Sequence, residues 1–130
     1  MYEAVTSAIR VRVTPRFLED QSTPDEGRYF WAYTVEIINE GAETVQLKTR
    51  RWLITDGNGR QEDVRGPGVV GKTPTLGPGQ RFEYTSGCPL TTPSGIMSGS
   101  YQMEVAGGRM LDVTIPSFSL DSPYAKRSIN

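Results

Sequence analysis

R-Y-F-W-A-Y-T-V-E-I-I-N, residues 28–39, puts Tyr29, Trp31, Tyr33, Val35 and Ile37 on one side of an extended chain. Phe30, Ala32, Thr34, Glu36 and Ile38 fall on the other. A period of two over so many residues is the mark of a β-strand with one buried face. The first set is assigned to the core. On the N-terminal side, Ala8–Thr14 repeats the pattern, with Ile9, Val11 and Val13 against Arg10, Arg12 and Thr14. Pro15 then lacks the N–H of an interior ladder, which predicts an edge or a bulge. On the C-terminal side, Asn39–Ala42 turns the chain into a second long strand, expected to pair with the first. Its residues Val45, Leu47, Thr49, Arg51 and Leu53 alternate with Gln46, Lys48, Arg50, Trp52 and Ile54. Asp56-Gly57-Asn58-Gly59 contains both D-G and N-G, signals for a hairpin, and Gln61–Arg65 is the expected return.

The remaining segments read in the same way. Gly66–Gly79 holds five Gly and three Pro, which excludes helix and predicts one long loop with Val69 and Val70 dipping into the core. Arg81–Ser86 is a short strand, with Phe82 and Tyr84 on a shared face, and Gly87–Gly99 is another loop. Ser100–Val105 and Met110–Ile115 flank Gly107-Gly108 as a hairpin, and the polar segment from Asp121 on is expected to fray. Tyr101 fits either plain packing or a tyrosine corner. Turn signals every 8 to 12 residues or so, without an amphipathic helix, describe an all-β antiparallel β-sandwich of seven to eight strands. The aromatic core set is Tyr29, Trp31, Tyr33, Trp52, Tyr84 and Tyr101. One domain is expected over 1–127, with 128–130 as a frayed tail.

Composition supports strands: Val, Ile, Thr, Tyr, Phe and Trp total 42 of 130 residues, against 17 Ala, Leu and Met. Function classes are narrowed more than they are named. The chain has no His, so the commonest general base and metal ligand is missing. One Cys forms no intramolecular disulfide, and no signal-like or membrane-spanning apolar run is present, so a cytoplasmic, soluble protein is expected. A net charge of −1 gives no bulk attraction to nucleic acid or anionic lipid. Arg10, Arg12, Lys48, Arg50 and Arg51 with Trp31 and Trp52 form a basic–aromatic mixture, but the tryptophans belong to buried faces, and no nucleic-acid partner is expected.

Gly66-Pro67-Gly68-Val69-Val70-Gly71-Lys72-Thr73 matches G-x-x-x-x-G-K-[ST] and contains G-x-G-x-x-G. Both motifs need a buried strand before the loop and a helix after it, because a helix N-terminus and consecutive N–H groups hold the phosphate. Polar Gln61–Arg65 precedes the loop and Pro74 with Gly77-Pro78-Gly79 follows it, so the context fails on both sides. A weak anion site on Gly66, Gly68, Gly71, Lys72 and Thr73 remains the alternative. Asp56–Arg60 opens like a calcium loop, but Arg at its fifth place makes it a turn. Asp20, Asp25 and Glu26 offer hard oxygen ligands for a divalent cation, but solvated charge in an exposed loop is the preferred reading. Cys88 has no His to form a thiolate pair and reads as a structural residue.

R-Y-F-W-A-Y (28–33), W-L-I-T-D-G-N-G (52–59), G-P-G-V-V-G (66–71), Y-T-S-G (84–87) and T-P-S-G-I-M-S-G-S-Y-Q-M (92–103) together closely resemble the bacterial ApaG family over nearly the whole chain. The resemblance implies a fibronectin type III or immunoglobulin-like sandwich. It also implies a role in protein contacts, as for related domains in certain F-box proteins and a polymerase-delta-interacting protein. A genetic link to cobalt tolerance and magnesium efflux comes with it, without an enzymatic mechanism. By analogy with dinucleotide folds it implies pyrophosphate for Gly66, Gly68 and Gly71, with Lys72 and Thr73 outside the family signature. The expectation is a non-enzymatic binding module with a protein partner, no cofactor and no metal; edge strands and aromatic faces supply its contacts, and a homodimer is a further option. The alternatives are a phosphate or nucleotide binder using residues 66–73 and a divalent-metal binder.

Overall fold

A computed structural model describes residues 1–125. Nine strands lie among them: β1 (Tyr2–Thr6), β2 (Ile9–Phe17), β3 (Tyr29–Asn39), β4 (Val45–Asp56), β5 (Gln61–Pro67), β6 (Thr75–Leu76), β7 (Arg81–Leu90), β8 (Gly95–Val105) and β9 (Met110–Leu120). They form two antiparallel sheets packed as a β-sandwich, ordered β1-β2-β3-β7 and β5-β4-β8-β9, with β6 pairing with β4. Two single 3-10 turns, Glu19–Gln21 and Pro24–Glu26, fill the β2–β3 connection. The alternation of residues 28–39 fixes the core as expected: Trp31, Tyr33, Val35 and Ile37 are buried, while Tyr29 at the strand's start is half-buried. Trp52, Tyr84 and Tyr101 are also buried. In the middle of the core Tyr33, Trp52 and Phe118 meet, with Tyr33 and Trp52 edge to face at 5.3 Å.

The pairing differs from the sequence reading in instructive ways. β3 and β4 do not pair; β3 lies between β2 and β7, and β4 belongs to the opposite sheet. The intervening turn is pinned to the second sheet by buried Asn39, whose side-chain amide donates to the carbonyls of Glu43 (2.8 Å) and Leu76 (2.9 Å). A β-bulge between Leu47 and Thr49 reverses the phase of β4, so Val45 and Leu47 face the core, followed by Trp52 rather than Arg51. The single uninterrupted alternation read along Val45–Ile54 is broken for that reason, and Trp52 is buried as expected. β2 is an interior strand, yet Pro15 is accommodated because β1 ends opposite Val13. β1 itself returns through a two-residue turn in which Ser7 and Ala8 take φ of 47° and 67°.

The expected loop 87–99 is shorter in reality. β7 runs on through Gly87 and Pro89, and β8 begins at Gly95. An edge strand tolerates such residues, and the Phe30 ring lies over Gly87 where a side chain would be, an aromatic cover for an edge glycine. β9 likewise continues past Pro116, through an irregularity in its register with β8. The described part of the C-terminal segment is docked: the Trp31 indole N–H donates to the Asp121 carbonyl at 2.7 Å, and Tyr124 packs against Phe17 and Tyr29. The boundary at 127 and the 128–130 tail lie outside the described residues. No helix among the described residues is long and apolar enough to cross a membrane.

Candidate functional site

A sandwich has two seams where the edges of its sheets face each other, and here they differ. Along one, β1 and β2 pack against β9. The edge of β9 is capped by side chains: the Thr114 N–H donates to the Thr6 hydroxyl (3.1 Å) and the Ser119 N–H to the Tyr2 hydroxyl (3.3 Å). Along the other, no comparable packing joins β7 to β5 among the described residues, where each is the terminal strand of its sheet. A cleft of about 610 Å³ opens between them. Trp52, Tyr84, Cys88 and Met97 are buried lining residues, and Arg50 and Glu62 bring charge to it. A neighbouring hollow of about 440 Å³ continues past Glu62, Pro89 and Leu90 toward Arg28 and Tyr29. The ten residues of β7 give this seam a length of roughly 30 Å at the usual rise per strand residue.

The glycine-rich loop forms the rim of the cleft, and its geometry is that of a hairpin. Val69 and Lys72 exchange backbone bonds (2.8 and 2.9 Å) around Val70 and Gly71, whose φ are 45° and 77°. Positive φ at both central residues is the type I′ pattern. The N–H groups of Gly68, Val69 and Lys72 all donate to main-chain carbonyls, and the segment after Thr73 leads into β6. This is not the strand–loop–helix arrangement that cradles phosphate in nucleotide-binding proteins. Gly66 lies under the Arg50 guanidinium, and Arg50 Nη1 donates to the carbonyls of Pro67 and Gly68, both at 2.8 Å. Lys72 and Thr73 are exposed. Val69 enters the core, whereas Val70 does not: it is 53% exposed at the tip of the turn. A β-branched side chain at positive φ is a strained arrangement, and such strain gathers at binding sites.

The buried hydroxyls and the thiol at and beneath the cleft floor are held neutral. The Tyr84 and Tyr101 hydroxyls bond to each other across the two sheets, so Tyr101 bridges the layers instead of forming a tyrosine corner. Burial raises the pKa of both, and that of Tyr33 also, with the Ser86 hydroxyl drawing Tyr33 partly back. Burial, and secondarily the Glu62 carboxylate, push the Cys88 thiol up to about 11. A thiol so placed is a poor nucleophile near neutral pH.

The other sequence candidates stand apart from this site. Arg10 and Arg12 are engaged by Glu3, Glu36 and Glu40 on the outer face of the first sheet, and Arg51 by Asp63. The Asp56 carboxylate accepts the N–H groups of Asn58 and Arg60 and so shapes its hairpin. Asp20, Asp25 and Glu26 lie in the 3-10 turns, with Glu26 3.9 Å from Arg28. No group of three or more His, Cys, Asp or Glu suited to a metal ion occurs among the described residues.

Comparison with known proteins agrees with this architecture. The ApaG domain profile matches residues 19–105, which span β3 to β8. The chain is 62% identical over 130 residues to Protein ApaG of Bradyrhizobium sp. (strain ORS 278), and 58% identical to Protein ApaG of Methylorubrum populi. Both alignments cover 100% of each chain. A crystal structure of an ApaA-designated protein from Bordetella pertussis superposes with a TM-score of 0.86 at 48% identity, covering 90% of this chain and 95% of that one. These names denote no enzymatic activity. With the profile spanning most of the sandwich and the relatives matching end to end, the chain belongs to the ApaG family.

Proposed function

We propose that this protein is a binding module whose partner is another protein, and that an extended segment of the partner lies along the β5–β7 seam with β7 accepting it as an added strand. The observation that carries the reading is the asymmetry of the two seams. Thr6 and Tyr2 hydroxyls cap the edge of β9, while among the described residues β7 keeps ten residues of unpaired edge above an apolar floor. Exposed strand edges are templates for pairing with another chain, and natural sandwiches normally blunt them. Strand addition supplies affinity through main-chain hydrogen bonds and selectivity through pockets for alternate side chains. Val70, apolar and exposed at the tip of the turn by the cleft mouth, adds a contact point. Neutral hydroxyls and an unreactive thiol suit binding better than catalysis.

The test is selection of displayed random peptides of about ten residues, the length of β7, on the immobilised full chain. Ser86→Arg places a long cationic side chain in the cleft from a half-buried position, and Ser86→Ala leaves the cleft open. Enrichment by wild type and Ser86→Ala, and its loss in Ser86→Arg at unchanged melting temperature, is the expected result. Equal enrichment by Ser86→Arg, or none by wild type, refutes the proposal.

A further inference from the structure

Resting on that reading, we infer that the bound segment carries a bulky apolar side chain for the cleft floor and, two residues before it on the same face, a Lys or Arg that meets Glu62. Glu62 is the carboxylate lining the central cleft, and it recurs in the neighbouring hollow, where Arg28 and Arg60 also line the wall without forming an ion pair with it. It is exposed and has no basic group within 4.0 Å among the described residues. Its neighbour Asp63, on the other face of β5, is by contrast paired with Arg51 and Arg65. The cleft's own cation does not answer Glu62. Arg50 sits at the glycine-loop end, over Gly66 and bonded to the Pro67 and Gly68 carbonyls.

The spacing follows from register. Val64 stands opposite Trp52 in the β4–β5 ladder and Glu62 opposite Ile54, so the anionic point and the apolar floor are two strand residues apart. Two residues of an extended ligand span the same distance, roughly 7 Å. The order follows from strand direction. Leu90, at the end of β7, shares the neighbouring hollow with Arg60 and Glu62, whereas Tyr84 lines only the central cleft. Every strand pair of the sandwich is antiparallel, and a segment that pairs with β7 in the same sense meets Glu62 first and the apolar floor afterwards.

Defined probes separate the possibilities: blocked threonine-rich peptides with a central leucine, bearing lysine, glutamine or glutamate two places before it. Titrated against the full chain by fluorescence anisotropy, the lysine peptide should bind about threefold to tenfold more tightly than the glutamate peptide, the range of an exposed ion pair and its reversal. Glu62→Lys should invert that order. Binding with no charge preference, or a preference unchanged in Glu62→Lys, overturns the inference while leaving the seam reading intact. Absence of binding by all three peptides overturns both. So does a dimer, seen by light scattering, that buries β7 and excludes the peptides, since the seam would then serve a second copy of this chain.

Discussion

Gly68 and Gly71 both have positive φ, yet the structure assigns them different weights. A Cβ at 68 would overlap the Lys72 carbonyl oxygen and lie 3.1 Å from its carbon, and backbone cannot step aside as a flexible side chain can. A Cβ at 71 would meet nothing within 4 Å. For Gly71→Ala the cost is the left-handed backbone alone, ~1–2 kcal/mol, reduced by ~0.5 kcal/mol because alanine lowers the entropy of the unfolded chain. For Gly68→Ala the loop must shift as well. That displaces Val69, 1% exposed, with ~1.5 kcal/mol of burial at stake. It also loosens the two Arg50 bonds to Pro67 and Gly68, together ~2 kcal/mol. The expected losses are about 1 kcal/mol for Gly71→Ala and about 4 kcal/mol for Gly68→Ala. Urea denaturation followed by tryptophan fluorescence reads the difference as a midpoint gap of about 1–2 M. Midpoints that coincide would refute the reasoning, because the loop would then have no fixed seat on the sandwich.

Other perturbations follow from the same contacts. Tyr101→Phe leaves the buried Tyr84 hydroxyl without its partner and should cost ~1–3 kcal/mol, whereas Tyr84→Phe combined with Tyr101→Phe should recover most of it; additive losses in chemical denaturation would contradict a paired hydroxyl bridge. Cys88, its thiol raised from 9.0 to about 11, should react with iodoacetamide at about pH 8 at least ~100-fold more slowly in the native protein than in urea. A native rate equal to the unfolded one would show the thiol to be open. The hydrogen bond from Arg12 and the contacts with Arg10 hold the Glu3 carboxyl below its ordinary value. A depressed folded pKa contributes stability above the unfolded value and loses it as pH falls through the folded one. Melting temperature should therefore drop below about pH 4.5, and Glu3→Gln should flatten that drop; an identical acid profile would remove the pair from the account.

How far the sequence discloses this molecule depends on where the information is local. Residues 28–39 carry their own period, so the buried face of β3 follows without reference to any other strand. The partner of β3 does not. Asn39–Ala42 looks like a hairpin turn, and only the tertiary bonds of Asn39 to Glu43 and Leu76 show the chain crossing to the other sheet. β1 escapes notice because Ser7 and Ala8 turn the chain without the Gly or Asn that such a turn normally uses. The alternation along Val45–Ile54 does not run through as one set because a bulge is set by the pairing with β8, which composition does not encode. At the site, the glycine loop is legible as a turn from its prolines, and Val69 as a core residue. The cleft is not, because its floor comes from Trp52, Tyr84, Cys88 and Met97, on three strands of both sheets, and its rim from the seam without the hydroxyl caps seen on β9.

The most direct measurement is a map of backbone amide shifts in the isotope-labelled full chain as the lysine-bearing peptide is added. Perturbations should concentrate on β7 from Tyr84 to Leu90 and on Glu62–Gly71, with β1 and β9 unchanged. Shifts centred instead on β1 and β9, or spread over the paired charges of Arg10, Arg12 and Glu36, would place recognition on the closed side of the sandwich and contradict the account.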